Sequence, residues 1–536
     1  LVDVATRNRQ LVSRVRRSGK RTRVRPVTFA ARWNLFLQPG GDTELLIRLA
    51  KSLAGHGYSN IDFHGKLPHP FSYRLVHIFN PDVELALQAA QLGCPYVLTP
   101  LYEDVNRYHG RAMGVVRLFQ RYLGTADSAA FESALANLDR DGDLGTFPWD
   151  QRFVFDNAEA VLVSGESEGA RIRRDFPNAN RVEVVRFGFN RPVSTEAVSA
   201  QLFEDTFGVK DFVLCVGRLE TRKNQLMLLY ALRDLDVPLV FVNSTTVQSE
   251  YEQMCKGFSR SARTIFTDRI SQEMLYSAYK AAKVHVLPSW YELPGLVTLE
   301  AAWFGCNVVA SDWGTIREYL GNEAYYCDPI RPDTIRKRVV EALRDPPNHR
   351  ARERAESLSW DAASRTTARI YRSILHEKER GKKKKGVQNR LALRAQSAKR
   401  EALRRQLRGR AFAALSKDPA TAQSLAYQLL EHFPQDRVAH YIQGVGNLSS
   451  KRYREAEAHL IRAIELAPVV DVSAYLYLAL ALLQQRKGEE AARALNLGLQ
   501  RHPFLPEETT ALIDEYLGLA HRMIGPRPMK GSIESR

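Results

Sequence analysis

Cysteine is scarce in this 536-residue chain, and what there is does not cluster. Cys94, Cys215, Cys255, Cys306 and Cys327 form no C-x-x-C pair, and their number is odd. That excludes a disulfide framework and a paired-cysteine zinc site, and it favours reduced thiols in a cytoplasmic setting. Long hydrophobic runs are missing too. A membrane helix needs roughly 18 apolar residues, and the longest candidate, Tyr475 to Leu483, reads as a buried helix face. No glycine cluster forms a Walker loop or G-x-G-x-x-G. The Arg-rich start, residues 1–26, is followed by no apolar core, so it does not read as a secretory signal. The first residue is Leu, which leaves the presence of the native start open.

Charge of one sign is present, and its distribution says more than its total of +17. Residues 1–33 carry ten Lys/Arg and one acid, and residues 377–410 carry fourteen and three. The globular remainder is close to neutral. Residues 1–25 and 377–410 contain no Phe, Tyr or Trp. Stacking platforms for single-stranded nucleic acid are therefore lacking, which argues against such a partner. An anionic membrane surface suits them better, at about 1 kcal/mol per basic residue near the leaflet; a charged linker helix kept in solvent is the plainer reading.

Along the chain, short apolar strands alternate with helical periodicity, the pattern of doubly wound parallel sheets. Asn34–Gln38 reads as a strand ending in Pro39-Gly40-Gly41-Asp42, and Thr43–Ala54 as a helix with Leu45, Leu46, Leu49 and Leu53 on one face. Strands follow at 74–79, 96–98, 160–164 and 182–185. The pattern then restarts, with strands at 212–216, 238–243, 264–266, 284–287, 307–310 and 324–327 and a helix at 224–234. The expected organisation is a basic segment at 1–26, a Rossmann-like domain at 27–195, a second at 196–350, a closing helix within 351–376 and a basic linker at 377–410. Beyond it the periodicity is helical. Ala456, Leu460, Ala463 and Pro468 recur 35 residues later as Ala491, Leu495, Gly498 and Pro503, which reads as tetratricopeptide-like repeats over 411–524 and a tail at 525–536.

Two motifs carry chemistry. Gly217-Arg218-Leu219-Glu220-Thr221-Arg222-Lys223 follows a strand directly. Arg218 and Lys223 there flank a strand-to-helix crevice, the place where open α/β sheets bind ligands, and two cations suit a diphosphate. Glu292-Leu-Pro-Gly295-Leu296-Val297-Thr-Leu-Glu300 sets two carboxylates eight positions apart across a helix start. The first-turn amides of Gly295 to Val297, at the positive end of the helix dipole, make an anion site. The bland alternatives are a solvated turn and a capped core helix.

Together these residues resemble the glycosyltransferase family 4 (group 1) enzymes of the GT-B fold, over roughly residues 33–376. The strongest stretches are Val216–Leu232 and Leu287–Leu320, with Gly305, Gly314 and Glu318. The resemblance implies α/β architecture, with two Rossmann-like domains facing a cleft and the all-helical repeat domain following. It implies that Arg218 and Lys223 hold the donor diphosphate and that Glu300 takes the ribose hydroxyls. Glu292 lies against the donor sugar, with the Gly295, Leu296 and Val297 amides on sugar and phosphate. Gly40 and Gly41 form the N-terminal glycine loop, and Ile270 touches the base. It further implies retention of configuration, with no metal and no cofactor beyond the nucleotide-diphosphate sugar.

Relatives of this kind often carry a histidine after the strand at 96–98. Here the sequence is Thr99-Pro100-Leu101-Tyr102, and only His77 and His109 lie within reach, each read as an ordinary histidine. Asp139-Arg-Asp141-Gly-Asp143 has the spacing of a metal loop, but Leu144 stands where a calcium loop needs glycine, so an acidic solvated loop is expected. Residues 112–123 form a basic amphipathic helix, suited to an anionic membrane or, more plainly, to packing on the N-terminal sheet. The expected function is transfer of a sugar to a glycan or lipid-linked acceptor in surface polysaccharide or lipopolysaccharide synthesis, at the inner membrane face. The alternatives are a protein glycosyltransferase whose repeats bind the acceptor, and a repeat scaffold with an inert transferase body.

Overall fold

The computed structural model describes residues 27–32, 40–58, 61–65, 67, 73–103, 105–122, 128–140, 151–192, 195–242, 249–381, 385–466, 472–501, 505 and 507–524. The segment 1–26, the strand expected at Asn34–Gln38, Asp141 to Asp143, Lys382 to Lys384, Pro468, Pro503 and the tail lie outside them. The chain divides into two compact units. One comprises Leu1–Asp104 and Asp150–Lys399, the other Val105–Trp149 and Arg400–Arg536.

The first unit holds two parallel sheets. In chain order the N-terminal half runs β1 (Val27–Ala30), α1 (Gly41–Leu53), β2 (Phe63–His64), β3 (Leu75–Phe79), α2 (Val83–Gln91) and β4 (Tyr96–Thr99). Two helices, α3 (Val105–Tyr122) and α4 (Ser128–Arg140), interrupt it before α5 (Arg152–Asn157), β5 (Ala160–Val163), α6 (Glu166–Asp175) and β6 (Val182–Val184). The strand order is β2-β1-β3-β4-β5-β6, every neighbour parallel.

The C-terminal half runs α7 (Gln201–Phe207), β7 (Val213–Val216), a 3-10 turn (Thr221–Lys223), α8 (Gln225–Ala231), β8 (Leu239–Val242), α9 (Ser249–Gly257), β9 (Thr264–Thr267), α10 (Gln272–Ala281) and β10 (Val284–Leu287). It continues through α11 (Leu296–Phe304), β11 (Asn307–Ser311), α12 (Ile316–Leu320), β12 (Tyr325–Cys327), α13 (Pro332–Arg344) and α14 (His349–Glu356). Its order is β12-β11-β10-β7-β8-β9, again parallel throughout. Sequences such as Val-Leu-Cys-Val in β7 and Leu-Val-Phe-Val in β8 are wholly buried, as strands covered by helices on both faces must be. The chain order reverses between β7 and β10. That topological switch point opens a crevice at the strands' carboxyl ends.

The two Rossmann-like halves are the architecture expected. Helix α15 (Trp360–Gly381) leaves the second half and returns to the first. Its Ala368, Ile370, Tyr371 and Ile374 share a core with Phe29, Leu46, Leu75 and Leu162. His77, one of the two histidines considered for the acceptor side, belongs to this core. Its Nε2 lies 2.7 Å from Thr99 Oγ1 and its Nδ1 bonds Tyr371 Oη, and full burial pushes its pKa down to about 3. It is a neutral, satisfied core group. The side chain of His109 lies outside the described residues.

After α16 (Lys385–Ala414), whose residues from Arg400 on belong to the second unit, that unit continues with α17 (Pro419–His432), α18 (Arg437–Ser449), α19 (Tyr453–Leu466), α20 (Val472–Gln484), α21 (Gly488–Arg501) and α22 (Glu507–Ile524). Successive helices from α17 onward pack against one another. The recurring Ala456, Leu460, Ala491 and Leu495 are all buried in one shared core. Asp436, fully buried, caps α18 through Ala439 N (3.1 Å) and receives Arg408 (2.5 Å) and Arg404 (3.4 Å). Two cations of the basic linker are thus structural ties within the helical unit.

Strand β1 at Val27–Ala30 was not expected from the sequence. Two expectations need correction. The helix expected at 224–234 is shorter: α8 runs Gln225–Ala231 behind Asn224, which takes a left-handed conformation (φ 61°) between the 3-10 turn and α8. The amphipathic helix expected at 112–123 to pack on the N-terminal sheet packs instead chiefly with helices: α3 lies against α4 and α21, with Met113, Val115, Val116 and Phe119 buried. Burial extends to Arg117, whose pKa falls to about 10. The stretch 105–149, expected within the N-terminal Rossmann-like domain, therefore groups with the C-terminal helices.

Candidate active site

The loops after β7 and β10 meet at the switch point. Asn224 ties them together, donating from Nδ2 to Pro288 O (3.1 Å) and Pro329 O (2.7 Å), and Trp290 N donates to Arg222 O (2.8 Å). Gln225 Nε2 donates to Arg218 O (2.8 Å), which fixes the other end of the turn. The cations of the first loop are thereby set against the carboxylates of the second.

Lys223 Nζ donates to Glu292 Oε1, and Arg222 Nη1 reaches the same oxygen at 3.3 Å. Glu220 bridges Arg218 (3.2 Å) and Arg222 (3.0 Å). Burial pushes the Glu292 pKa up, but Lys223 and Arg222 outweigh it and hold the carboxyl below its ordinary value. Three cations are therefore ordered before any ligand arrives, which removes part of the entropic cost of binding one. The backbone of Glu292 is fixed by Gly314: Thr315 N donates to Glu292 O (3.1 Å), and a Cβ at Gly314 would stand 2.3 Å from that oxygen.

Gly295, at φ 82°, turns the chain into α11 and accepts from Thr298 N (2.9 Å). A side chain there would be strained. The amides of Leu296 and Val297 are the helix's first-turn donors beside Glu292. Their side chains, like that of Ile270, are half-buried against the C-terminal core.

Glu300 lies farther along α11 and forms a separate cluster. Tyr279 Oη donates to its Oε2 (3.0 Å). Burial is the main cause that pushes its pKa up to about 8, and Glu44 on α1 adds to the rise. Asn190 Nδ2 in turn donates to Glu44 Oε1 (2.7 Å), and Arg48 Nε holds the same oxygen (2.6 Å).

From the N-terminal half, Gly40 precedes α1 and Gly41 begins it. A Cβ on Gly40 would be 4.0 Å from both Arg218 Nη atoms, so the glycine loop stands against the cationic turn. A second approach comes from the loop after β4, where Glu103 Oε1 lies 3.7 Å from Arg222 Nη1. Sequence reasoning singled out Arg218, Lys223, Glu292 and Glu300, and the structure gathers the first three within one charged network. It missed Arg222, Glu220, Glu103 and Tyr279. Arg222 had a signal, since it adjoins Lys223 in the same turn; the others had none beyond being polar.

Comparison with known proteins bears on this arrangement. Residues 203–358 match the family model described as "Glycosyl transferases group 1". That segment is a group 1 glycosyltransferase domain. It contains the cationic turn, both glutamates and the first turn of α11. An uncharacterised glycosyltransferase of Methanocaldococcus jannaschii is 29% identical over 185 residues, 32% of this chain and 47% of the relative. O-antigen chain mannosyltransferase B of Escherichia coli is 27% identical over 236 residues, 41% of this chain and 62% of the relative. The chain thus spans about half to two thirds of the curated relatives it matches. Among solved structures, sucrose-phosphate synthase from Thermosynechococcus elongatus superposes with a TM-score of 0.49 at 19% identity, covering 66% of this chain and 99% of the other.

Proposed function

We propose that the chain transfers a sugar from a nucleotide-diphosphate sugar to a glycan or lipid-linked acceptor. The observation that carries this is the network at the switch point, where Arg218, Arg222 and Lys223 face Glu292 and the start of α11. As the glycosidic bond to the diphosphate breaks, negative charge gathers on the phosphate oxygens. Arg218, Lys223 and the Leu296 and Val297 amides are fixed positive groups at that end, and such preorganised stabilisation is the largest single contribution in many enzymes. Glu292 faces the sugar, where positive charge develops. Glu300 takes the ribose hydroxyls two turns along α11, and Ile270 lies toward the base. Gly40 and Gly41 close over the phosphates. In this reading the cations do the work of a metal, and the sugar keeps its anomeric configuration.

The mannosyltransferase relative supports a place in surface polysaccharide or lipopolysaccharide assembly. Among the described residues no helix is long and apolar enough to cross a membrane. We place the protein at the inner membrane face through the basic segments 1–33 and 377–410. The tetratricopeptide-like helices 411–524 offer a surface for a protein partner or the acceptor.

The test is thermal stability against a panel of nucleoside diphosphates and nucleotide-sugars. A ligand at 100 times its Kd adds about 2.7 kcal/mol to the unit that binds it. One base should raise the melting temperature of the wild type, and Arg218→Ala and Glu300→Ala should abolish the rise. Turnover in Arg218→Ala should fall about 10²–10³-fold. A folded wild type that responds to no nucleotide would overturn the reading.

A further inference from the structure

We propose that Glu103 is a sugar-binding residue of the N-terminal half, accepting hydrogen bonds from hydroxyls of the transferred sugar opposite Glu292. The inference rests on the transferase reading and names a residue that the reading did not supply.

The first observation is position. Strand β4 ends at Thr99, and the loop after it brings Glu103 Oε1 to 3.7 Å from Arg222 Nη1. That same nitrogen is 3.3 Å from Glu292 Oε1. Carboxylates from the two halves of the first unit therefore flank one guanidinium.

The second is rigidity. Leu101 takes a left-handed conformation at φ 46°, which an L-residue adopts only under constraint. The constraint is visible. Tyr102 N donates to Glu168 Oε1 (2.7 Å), and Glu168, fully buried, also accepts from Ser164 N and Oγ (both 2.7 Å). Tyr102 Oη donates to Asp175 Oδ2 (2.8 Å), and its ring meets Phe155 and Phe176 edge-on. Glu103 thus follows directly on an anchored residue, and a binding group held in place costs little to order.

The third is chemistry. Ionised carboxylates only accept hydrogen bonds. Glu103 and Glu292 repel a phosphate and suit a ligand rich in hydroxyl donors, with Arg222 between them offsetting their mutual repulsion. The diphosphate is directed to Arg218 and Lys223, and the sugar to the two glutamates. Glu103 keeps 31% of its side chain exposed and Glu292 13%, so each retains a face for a ligand.

The test uses the full chain with UDP-glucose, GDP-mannose and their monodeoxy-sugar analogues, following release of nucleoside diphosphate together with binding of UDP and GDP. Glu103→Ala should leave nucleoside-diphosphate affinity unchanged and lower turnover of the productive donor about 10–100-fold, the worth of a hydrogen bond to a charged group. Glu103→Gln should recover part of that loss. Removing the contacted hydroxyl should cost the wild type by a similar factor and cost Glu103→Ala nothing further. The proposal is overturned if every deoxy donor penalises Glu103→Ala as much as the wild type. Equal weakening of nucleoside-diphosphate and donor binding would also overturn it, since Glu103 would then act only by holding Arg222. If the folded wild type binds no nucleoside diphosphate of the full panel and no nucleotide-sugar, the transferase reading falls, and Glu103's role falls with it.

Discussion

At the scale of single residues, the two glutamates of α11's approach are driven to opposite protonation states. Glu292 is ionised against Lys223 and Arg222, whereas Glu300 is held largely protonated by burial up to a pH of about 8. Glu300 makes the unliganded protein sensitive to pH. The folded chain keeps that proton to about 8, while the unfolded chain releases it near 4.5. Folding therefore binds a proton over that window, and stability falls as the pH rises through it. Glu300→Gln should flatten the fall, which melting temperatures from pH 4.5 to 8 would show; an unchanged slope would place the titration elsewhere. The spacing of the two carboxylates is plain in the sequence, but their opposite charge states are not. Those depend on Tyr279, Glu44 and Asn190, which come from distant parts of the chain. Glu103 was invisible for the same reason, since what singles it out is a distance to Arg222, 119 positions later.

At the scale of elements, helix α6 begins without a side-chain cap of its own at Gly165. Glu318, in α12 of the other sheet's domain, supplies one. Its carboxylate accepts from Glu166 N (2.5 Å), Ser167 N (2.9 Å) and Ser167 Oγ (2.6 Å). Tyr319 Oη donates to Ser164 O (2.8 Å) next to it, and Arg186 donates to Glu318 O (2.6 Å). A lost cap costs about 0.5–2 kcal/mol. Glu318→Ala should lower the melting temperature and speed amide exchange in the first turn of α6, and the Gln variant should restore part of the protection. Ten of the twelve strands among the described residues were readable, most of them because the core of a parallel sheet is a continuous apolar run. The two that escaped are β1 and the two-residue β2. Val-Thr-Phe-Ala in β1 follows a basic stretch and carries a threonine, and Phe63–His64 in β2 is only half-buried. Neither has a signature without its neighbours. The left-handed turn at Asn224 was hidden likewise, because the partners of its side chain are carbonyls of Pro288 and Pro329, far away in the sequence.

At the scale of the whole molecule, the helical unit is assembled from two separated pieces of chain. The apolar face of α3 is satisfied by α4 and α21, with Phe119 and Phe131 5.0 Å apart in its core. The C-terminal helices are therefore not a detachable arm. A chain ended at residue 399 should expose Met113, Val116 and Phe119, bind a hydrophobic dye and sediment as aggregate. Replacing Val116 and Phe119 by serine in that shortened chain should recover soluble material. The periodicity of α3 gave its amphipathic face but not its partner, because a helix face carries no record of which distant element will cover it. The same arrangement sets an order of events during synthesis. Helix α3 leaves the ribosome about 370 residues ahead of α21, a delay of roughly 20–70 s at about 5–20 residues per second. Helix α4 follows at once and covers part of the apolar stripe, but the part that α21 covers stays open throughout that interval, so the nascent chain carries apolar surface that its own C-terminus cannot yet reach.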